Sequence, residues 1–472
     1  VDGSLVAVLD IGKTMAKLTL WTRAGELVAR ETRANDRPRT DGYATLDVEG
    51  IETWLYGALG QFATMGRIGA IVPVGHGAAA VVVRDGSIVM APMDYEHAID
   101  PSIRAEYDRL RAPFCETGSP ALPDGLNLGA QLYALSRLEP DLLTGGSRIL
   151  LWPQYWAWRL CGVAASEVTS LGCHTDLWNL FDGGPSRLTR ALGWAEALPP
   201  LRSAADVLGT IGVEWRERCS LPADTAIHCG LHDSNAALLA ARAFPELAGG
   251  ESTVLSTGTW FVAMRSPAPG SGLPEEMSGA RDCLVNIDAY GQLVPSARFM
   301  GGREIEQLIG LDTRRIDIKP DQPELLAAVP GVVESGATLL PTFAAGVGPF
   351  PHHRGRWMCE PDDAFAKRAA VSLYAALVAD ASLDLIGACD RILVEGRFAE
   401  AEVFVRALAA LRPGDAVYRA NAHNDVSFGA LRLLAPALRP AGALEPVRPL
   451  AGDLDGYRAG WRAAIDRMEV AA

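Results

Sequence analysis

Leu5-Val6-Ala7-Val8-Leu9-Asp10-Ile11-Gly12-Lys13-Thr14-Met15-Ala16-Lys17-Leu18-Thr19-Leu20 is the stretch on which the fold turns. Residues 5–9 form a continuous apolar run, the pattern of a strand buried on both faces. Asp10 to Thr14 make a short polar turn. Alternation then resumes over 16–21, and Ala24-Gly25-Glu26 turns the chain into a third strand at 27–31. The chain thus opens as an antiparallel meander. Residues 51–62 have helical spacing, and strands follow at 69–74 and 79–83, separated by Gly75-His76-Gly77. Strands interleaved with amphipathic helices predict an α/β protein with mixed sheets.

The same grammar returns later. Thr253-Val254-Leu255 runs into Ser256-Thr257-Gly258-Thr259, and a strand continues from Trp260 to Met264. Setting Gly12 opposite Gly258 places Asp10 opposite Ser256 and Lys13 opposite Thr259. The echo predicts two domains of one plan, 1–243 and 244–472, meeting in the Pro- and Gly-containing stretch 243–252. Helices are expected at 364–389 and 400–411, around a buried strand at 391–394 that ends in Glu395-Gly396-Arg397.

The 472 residues carry 43 Lys+Arg against 57 Asp+Glu, a net charge of −14. That balance argues against a protein that coats nucleic acid, because neutralising phosphates needs surplus cations. At 49% hydrophobic and 21% charged, the chain is not of disordered composition. No uncharged apolar run reaches the roughly 18 residues of a membrane span; the best candidate, 369–386, is broken by Asp380 and Asp384. The eight Cys form no CxxC pair, and the opening residues lack a basic segment leading into a long apolar one, so reduced thiols and a cytoplasmic location are expected.

Gly12-Lys13-Thr14 is not a P-loop: position 7 is Ala where that motif needs Gly, and a strand follows rather than a helix. A hairpin tip with backbone donors, a hydroxyl and a Lys can still cradle phosphate oxygens, although Asp and Gly are also what any turn uses. Asp10, ending a buried strand, could hold a hydrated Mg²⁺. Asp233, in Gly230-Leu231-His232-Asp233-Ser234, stands between a strand at 225–228 and a helix from 236; it, or Ser234, suits an N-cap, and equally a carboxylate placed to accept a proton from an attacking hydroxyl. A His232/Asp233 metal pair is discounted because adjacent side chains diverge. Ser256 to Thr259 offer hydroxyls at a second hairpin tip. Gly396 would let a flat base approach the backbone. Trp152, Tyr155, Trp156 and Trp158 read as core, or with Gln154 as a carbohydrate platform.

Taken in order, these segments resemble the FGGY carbohydrate kinase family of the actin/hexokinase/Hsp70 superfamily. The likeness rests on Leu9 through Lys17, Gly75-His76-Gly77, Asp85-Gly86, Pro92-Met93-Asp94-Tyr95-Glu96, Gln154-Tyr155-Trp156, Thr169 through Asp176, Gly230 through Ser234, Ser256 through Thr259, Val394 through Phe398 and Val426-Ser427-Phe428-Gly429-Ala430. The opening and the Asp-Tyr-Glu segment are most similar to bacterial kinases of deoxyketoses such as rhamnulose and fuculose. The resemblance implies two RNase H-like (actin-like ATPase) domains with helix-flanked mixed sheets, binding ATP and sugar in an interdomain cleft. It implies Asp233 as general base, and Mg²⁺ positioned through water by Asp10 and Asp233. Gly12, Lys13, Thr14, Ser256, Thr257, Gly258 and Thr259 would hold the phosphates, and Glu395, Gly396 and Arg397 would border the adenosine. His76, Gly77, Asp94, Tyr95, Glu96, Gln154 and Asp233 would meet the sugar. The activity implied is phosphoryl transfer from ATP to an alcohol group of a small ketose or deoxyketose such as rhamnulose, fuculose or xylulose. The expected partner is that sugar, without nucleic acid or membrane, and a homodimer fits the same family. A non-catalytic, nucleotide-dependent switch of the same superfamily is the alternative. Two departures stand out. Glu395-Gly396 replaces a common Gly-Gly, and Ala379-Asp380 stands where Glu-Gly is common.

Overall fold

The computed structural model describes residues 3–40, 42–420 and 426–469. The chain forms two compact units. One comprises Val1–Ala243, Val285–Leu293 and Asn424–Ala441; the other comprises Phe244–Leu284, Val294–His423 and Gly442–Ala472.

The first unit is built on a seven-stranded mixed sheet. Its strands are β1 (Leu5–Ile11), β2 (Met15–Trp21), β3 (Leu27–Ala34), β4 (Ile68–Gly75), β5 (Val207–Thr210), β6 (Ala226–His228) and β7 (Leu231–His232), in the order β5-β6-β4-β1-β2-β3, with β7 also on β4. The meander β1-β2-β3 is antiparallel, whereas β1, β6 and β7 each run parallel to β4. The continuous apolar run of β1 is explained by what covers it. Ala7, Leu9 and Ile11 face one core with Ile51, Leu55, Leu59 and Phe62 of the helix Val48–Ala63. Val6 and Val8 face the opposite core, with Leu239 and Phe428. Asp47 caps the first helix by accepting from Gly50 N–H. On the other face the helix Asp233–Ala241 packs against Val426–Leu431 so closely that a Cβ on Gly429 would overlap the Ala236 carbonyl oxygen. The predicted strand at 79–83 does form, as Ala80–Arg84, but it belongs to a separate three-stranded sheet with Ser87–Met90 and Arg148–Leu151.

The second unit repeats the plan. Six consecutive strands of its seven-stranded sheet are Leu293–Phe299, Phe261–Ser266, Ser252–Thr257, Arg391–Gly396, Ala416–Ala420 and Leu444–Pro446, beside an edge strand Cys283–Ile287. Ser252–Thr257 makes a hairpin with Phe261–Ser266 and lies parallel to Arg391–Gly396. This is the relation β1 has to β2 and β4. The long helix Ala364–Leu385 is capped by Asp363 and ends four residues before the predicted Cys389, where Gly387 takes a left-handed φ of 65°. Asp380 is 1% exposed inside that helix, and its charge is met by Arg412 at 3.0 Å, Arg458 at 3.2 Å and Arg462 at 3.4 Å. A buried carboxylate persists only with partners of this kind.

Candidate active site

In the first unit the register places three chain segments at one end of the sheet. Gly75 pairs with Ile11 on one side and with His232 on the other. Asp10, His76 and Asp233 are each within a residue of those positions, at the carboxyl ends of parallel strands where α/β sheets bind ligands.

Asp233 opens its helix. His232 occupies the N-cap position without a side-chain cap bond, so neither Asp233 nor Ser234 serves as the predicted cap. Ser234 Oγ instead donates to Asp233 Oδ1 at 3.2 Å. The carboxylate is 29% exposed, enough to touch a ligand. The protein crowded around it raises its pKa above the ordinary Asp value, an effect opposed by His76 and by the Ser234 hydrogen bonds. The adjacent His232 does not diverge as expected: its Nε2 lies 3.2 Å from Asp233 Oδ1. Burial lowers the imidazole to about 4, so it is neutral at physiological pH and this contact is not an ion pair. Thr169 Oγ1 accepts from His232 N–H at 3.0 Å and donates to Glu167 Oε2 at 2.6 Å.

The turn before Asp233 is under tight steric control. Gly230 has φ 77°, and a Cβ there would overlap the Pro73 carbonyl of the central strand. Gln154 Nε2 donates to the carbonyls of Cys229 at 3.3 Å and Gly230 at 3.2 Å, while its buried Oε1 finds no partner among the described residues. Gln154 therefore clamps this turn. Trp152, Tyr155 and Trp156 around it are buried in the core rather than laid out as a platform.

His76 Nδ1 lies 2.7 Å from the Gly77 carbonyl. A carbonyl only accepts, so Nδ1 carries the proton and the buried Nε2, which finds no partner among the described residues, presents a lone pair. Burial lowers the His76 pKa and keeps the ring neutral. Tyr95 meets it edge-on at 5.6 Å.

At the hairpin tip, Gly12 N–H donates to Met15 O at 3.0 Å, and Asn35 Nδ2 binds the carbonyls of Gly12 and Lys13 at 2.9 and 3.2 Å. Asp10 pairs with its cross-strand neighbour Lys17 at 3.0 Å. The Lys13 ammonium lies 2.8 Å from Asp94 Oδ1 and 2.6 Å from Glu96 Oε2, so the structure groups it with the residues expected at the sugar. Among the described residues no cluster of three or more His, Cys, Asp or Glu could cage a metal.

In the second unit, Ser256 Oγ donates to Glu395 Oε1 at 2.5 Å and Thr257 Oγ1 to the Glu395 carbonyl at 2.6 Å. Phe398 N–H donates to Thr257 Oγ1 at 3.0 Å. Gly396 has φ 85°, and a Cβ there would overlap the Thr257 carbonyl. The second hairpin and the Glu395-Gly396-Arg397 turn are thus one assembly, with Arg397 held 3.3 Å from Glu306. Sequence reasoning missed Gly302, where a Cβ would overlap the Gly258 carbonyl. The paired Gly301-Gly302 between a strand and a helix was the available signal. It also missed Asn35, which nothing local marks.

Glu167 carries a pH prediction. Burial lifts its carboxyl from 4.5 to about 7, opposed by hydrogen bonds from Thr169 and Ser170. The folded state therefore holds a proton that the unfolded chain releases near its ordinary pKa. Below that value the group costs nothing; as pH rises towards 7 its contribution turns unfavourable, by on the order of 3 kcal/mol. Chemical denaturation at pH 5 and pH 8 should show wild-type protein losing stability with rising pH and Glu167→Gln losing less. Equal slopes would contradict the assignment.

Residues 249–441 match the family described as "Carbohydrate kinase FGGY, C-terminal domain". The crystal structure of a carbohydrate kinase from Novosphingobium aromaticivorans is 52% identical, with a TM-score of 0.95 over 99% of this chain and 100% of that one. A rhamnulokinase of Bacillus subtilis is 24% identical over 271 residues, 55% of this chain and 53% of the relative, so the match spans about half of that protein. A xylulose kinase of Lactobacillus acidophilus is 14% identical with a TM-score of 0.78 over 99% of each chain, a likeness of fold. The chain belongs to the FGGY family of carbohydrate kinases, sugar-directed phosphotransferases with two actin-like domains. Kinases of this kind take their phosphoryl group from ATP, in general with a metal ion.

Proposed function

We propose that this protein transfers the γ-phosphoryl group of ATP to a hydroxyl of a small ketose or deoxyketose, with Asp233 as general base. The observation that carries the reading is the placement of Asp233, partly exposed, at a strand end adjoining the one that His76 follows. Asp233 accepts the proton of the attacking hydroxyl, and His76 accepts from a second hydroxyl, fixing the sugar's orientation. Asp94, Tyr95 and Glu96 complete the sugar side. Gly12 and Thr14 of the first hairpin tip and Ser256 to Thr259 of the second hold the phosphates, and Glu395, Gly396 and Arg397 border the adenosine. Asp10 and Asp233 would hold Mg²⁺ through water, and the bound ion would supply the charge neutralisation on the phosphates that phosphoryl transfer needs. The Bacillus subtilis relative is a rhamnulokinase, which puts rhamnulose first among the sugars to try. A cytoplasmic site of action belongs to the same proposal; no helix among the described residues is long and apolar enough to cross a membrane. Nothing in the comparisons favours the non-catalytic switch.

A thermal-shift screen of ketoses, deoxyketoses and polyols, with and without a non-hydrolysable ATP analogue, tests this. A ligand bound at about 100 times its Kd stabilises by roughly 2.7 kcal/mol, a readable shift. A ketose should raise Tm; a panel in which only the nucleotide does so would contradict the proposal.

Glu395 makes a second test. Its carboxylate is held by Ser256 Oγ at the hairpin assigned to the phosphates, where negative charge opposes negative charge. Glu395→Gln keeps a hydrogen-bond acceptor and removes the charge. The KM for ATP should fall by roughly threefold to tenfold in steady-state assays, with the sugar KM unchanged. An increased KM for ATP would show that the carboxylate assists the nucleotide.

A further inference from the structure

Lys13 stands at the tip of the first hairpin, among residues assigned to the phosphates, yet its side chain is spent elsewhere. Its ammonium is 2.8 Å from Asp94 Oδ1 and 2.6 Å from Glu96 Oε2, and it lies 4.1 Å from the centroid of the Tyr95 ring. The side chain is only 9% exposed. Three consecutive residues, Asp94-Tyr95-Glu96, thus converge on one cation: two by charge and one by its ring face. Two carboxylates more than cancel the single positive charge, so little attraction is left for a phosphate. The backbone at the tip is independently pinned, by Asn35 to the Gly12 and Lys13 carbonyls. On the other side, Asp94 N–H donates to Ala44 O, Glu96 N–H to Asp94 Oδ1 and His97 N–H to Asp94 O, so the segment is a turn organised around Asp94.

We propose that Lys13 is a positioning residue for the sugar segment rather than a phosphate ligand. It ties Asp94, Tyr95 and Glu96 to the hairpin tip, and through Tyr95 it sets the wall against which His76 stands. The kinetic half of this inference rests on the sugar-kinase reading above; the structural half does not.

The test uses Lys13→Met in the full chain, with two readouts. In steady-state assays the KM for the sugar should rise by about tenfold or more while the KM for ATP stays within about threefold. A rise in the KM for ATP with the sugar KM unchanged would overturn the proposal in favour of a phosphate grip. In amide hydrogen exchange, which needs no turnover, Glu96 and His97 should exchange about tenfold faster than in wild type. Unchanged protection would overturn the proposal whether or not any sugar is phosphorylated, so its failure is separable from failure of the kinase reading. Should Lys13→Met fold poorly, Glu96→Gln removes one partner from a position 57% exposed and should raise the sugar KM in the same direction by about threefold; an unchanged sugar KM there counts against the proposal.

Discussion

Replacing Asp233 by Asn should lower kcat by about 10²- to 10⁴-fold, the range a positioned general base contributes, while leaving the protein folded. The two residues have nearly the same shape. Burial raises the carboxyl pKa of Asp233, so its ionised form is disfavoured in the folded state and removing the charge should leave Tm equal or slightly higher. Asn still accepts a hydrogen bond from Ser234 Oγ, so the local turn should be kept. Initial-rate kinetics combined with a thermal melt check this. A variant with an unchanged sugar-dependent rate would remove Asp233 from the base role. Equal loss of activity and of Tm would recast it as a structural residue.

The second large effect is expected from Gly230→Ala, and it should look different. Gly230 sits at φ 77°, where an L-residue is strained, and the new Cβ would overlap the carbonyl oxygen of Pro73. That oxygen belongs to β4, which is flanked by β1, β6 and β7 and has little room to move. Strain and overlap each cost about 1–3 kcal/mol, so a loss of roughly 4 kcal/mol is expected. The strand end and the Asp233 helix would shift, taking activity and Tm down together. Gly86→Ala is the control: φ is 80°, but a Cβ there meets nothing within 4 Å among the described residues, so only the strain applies. Urea denaturation of the three proteins should rank them wild type, Gly86→Ala, Gly230→Ala. Reversal of the last two would mean that the Pro73 contact relaxes freely.

Much of the fold was legible because it is carried by local pattern. The apolar run of 5–9 announces a strand covered on both faces, and Val6 and Val8 do face one core while Ala7 and Leu9 face the other. The hairpin echo at 256–259 was legible for the same reason: strand, polar glycine turn and strand are all local features. Boundaries slipped where the deciding contact is distant or conformational, as at Gly387, whose left-handed φ ends the long helix early. The separation of Ala80–Arg84 into its own sheet was hidden because its partner, Arg148–Leu151, lies far along the chain.

The site divides along the same line. Asp10 and Asp233 could be picked out because each stands at a strand end, where such sheets bind ligands, and His76 came from the family resemblance. The pairing of Lys13 with Asp94 and Glu96, 81 and 83 residues on, left no local trace. Nor did the capture of Ser256 by Glu395, which depends on the register of two parallel strands. The approach of His232 to Asp233 went against expectation because the strand-to-helix turn folds two adjacent side chains together. Charge shows the point most clearly. A net charge of −14 does not by itself exclude a phosphate ligand, because a local site can oppose the global sign.

The central claim, that this chain phosphorylates a sugar, is tested most directly by following label from ATP marked in its γ-phosphate, with rhamnulose, fuculose and xylulose as acceptors. The predicted result is a labelled sugar phosphate formed mole for mole with ADP, and lost in Asp233→Asn. ADP formed at the same rate with and without every sugar, with all label appearing as free phosphate, would contradict it.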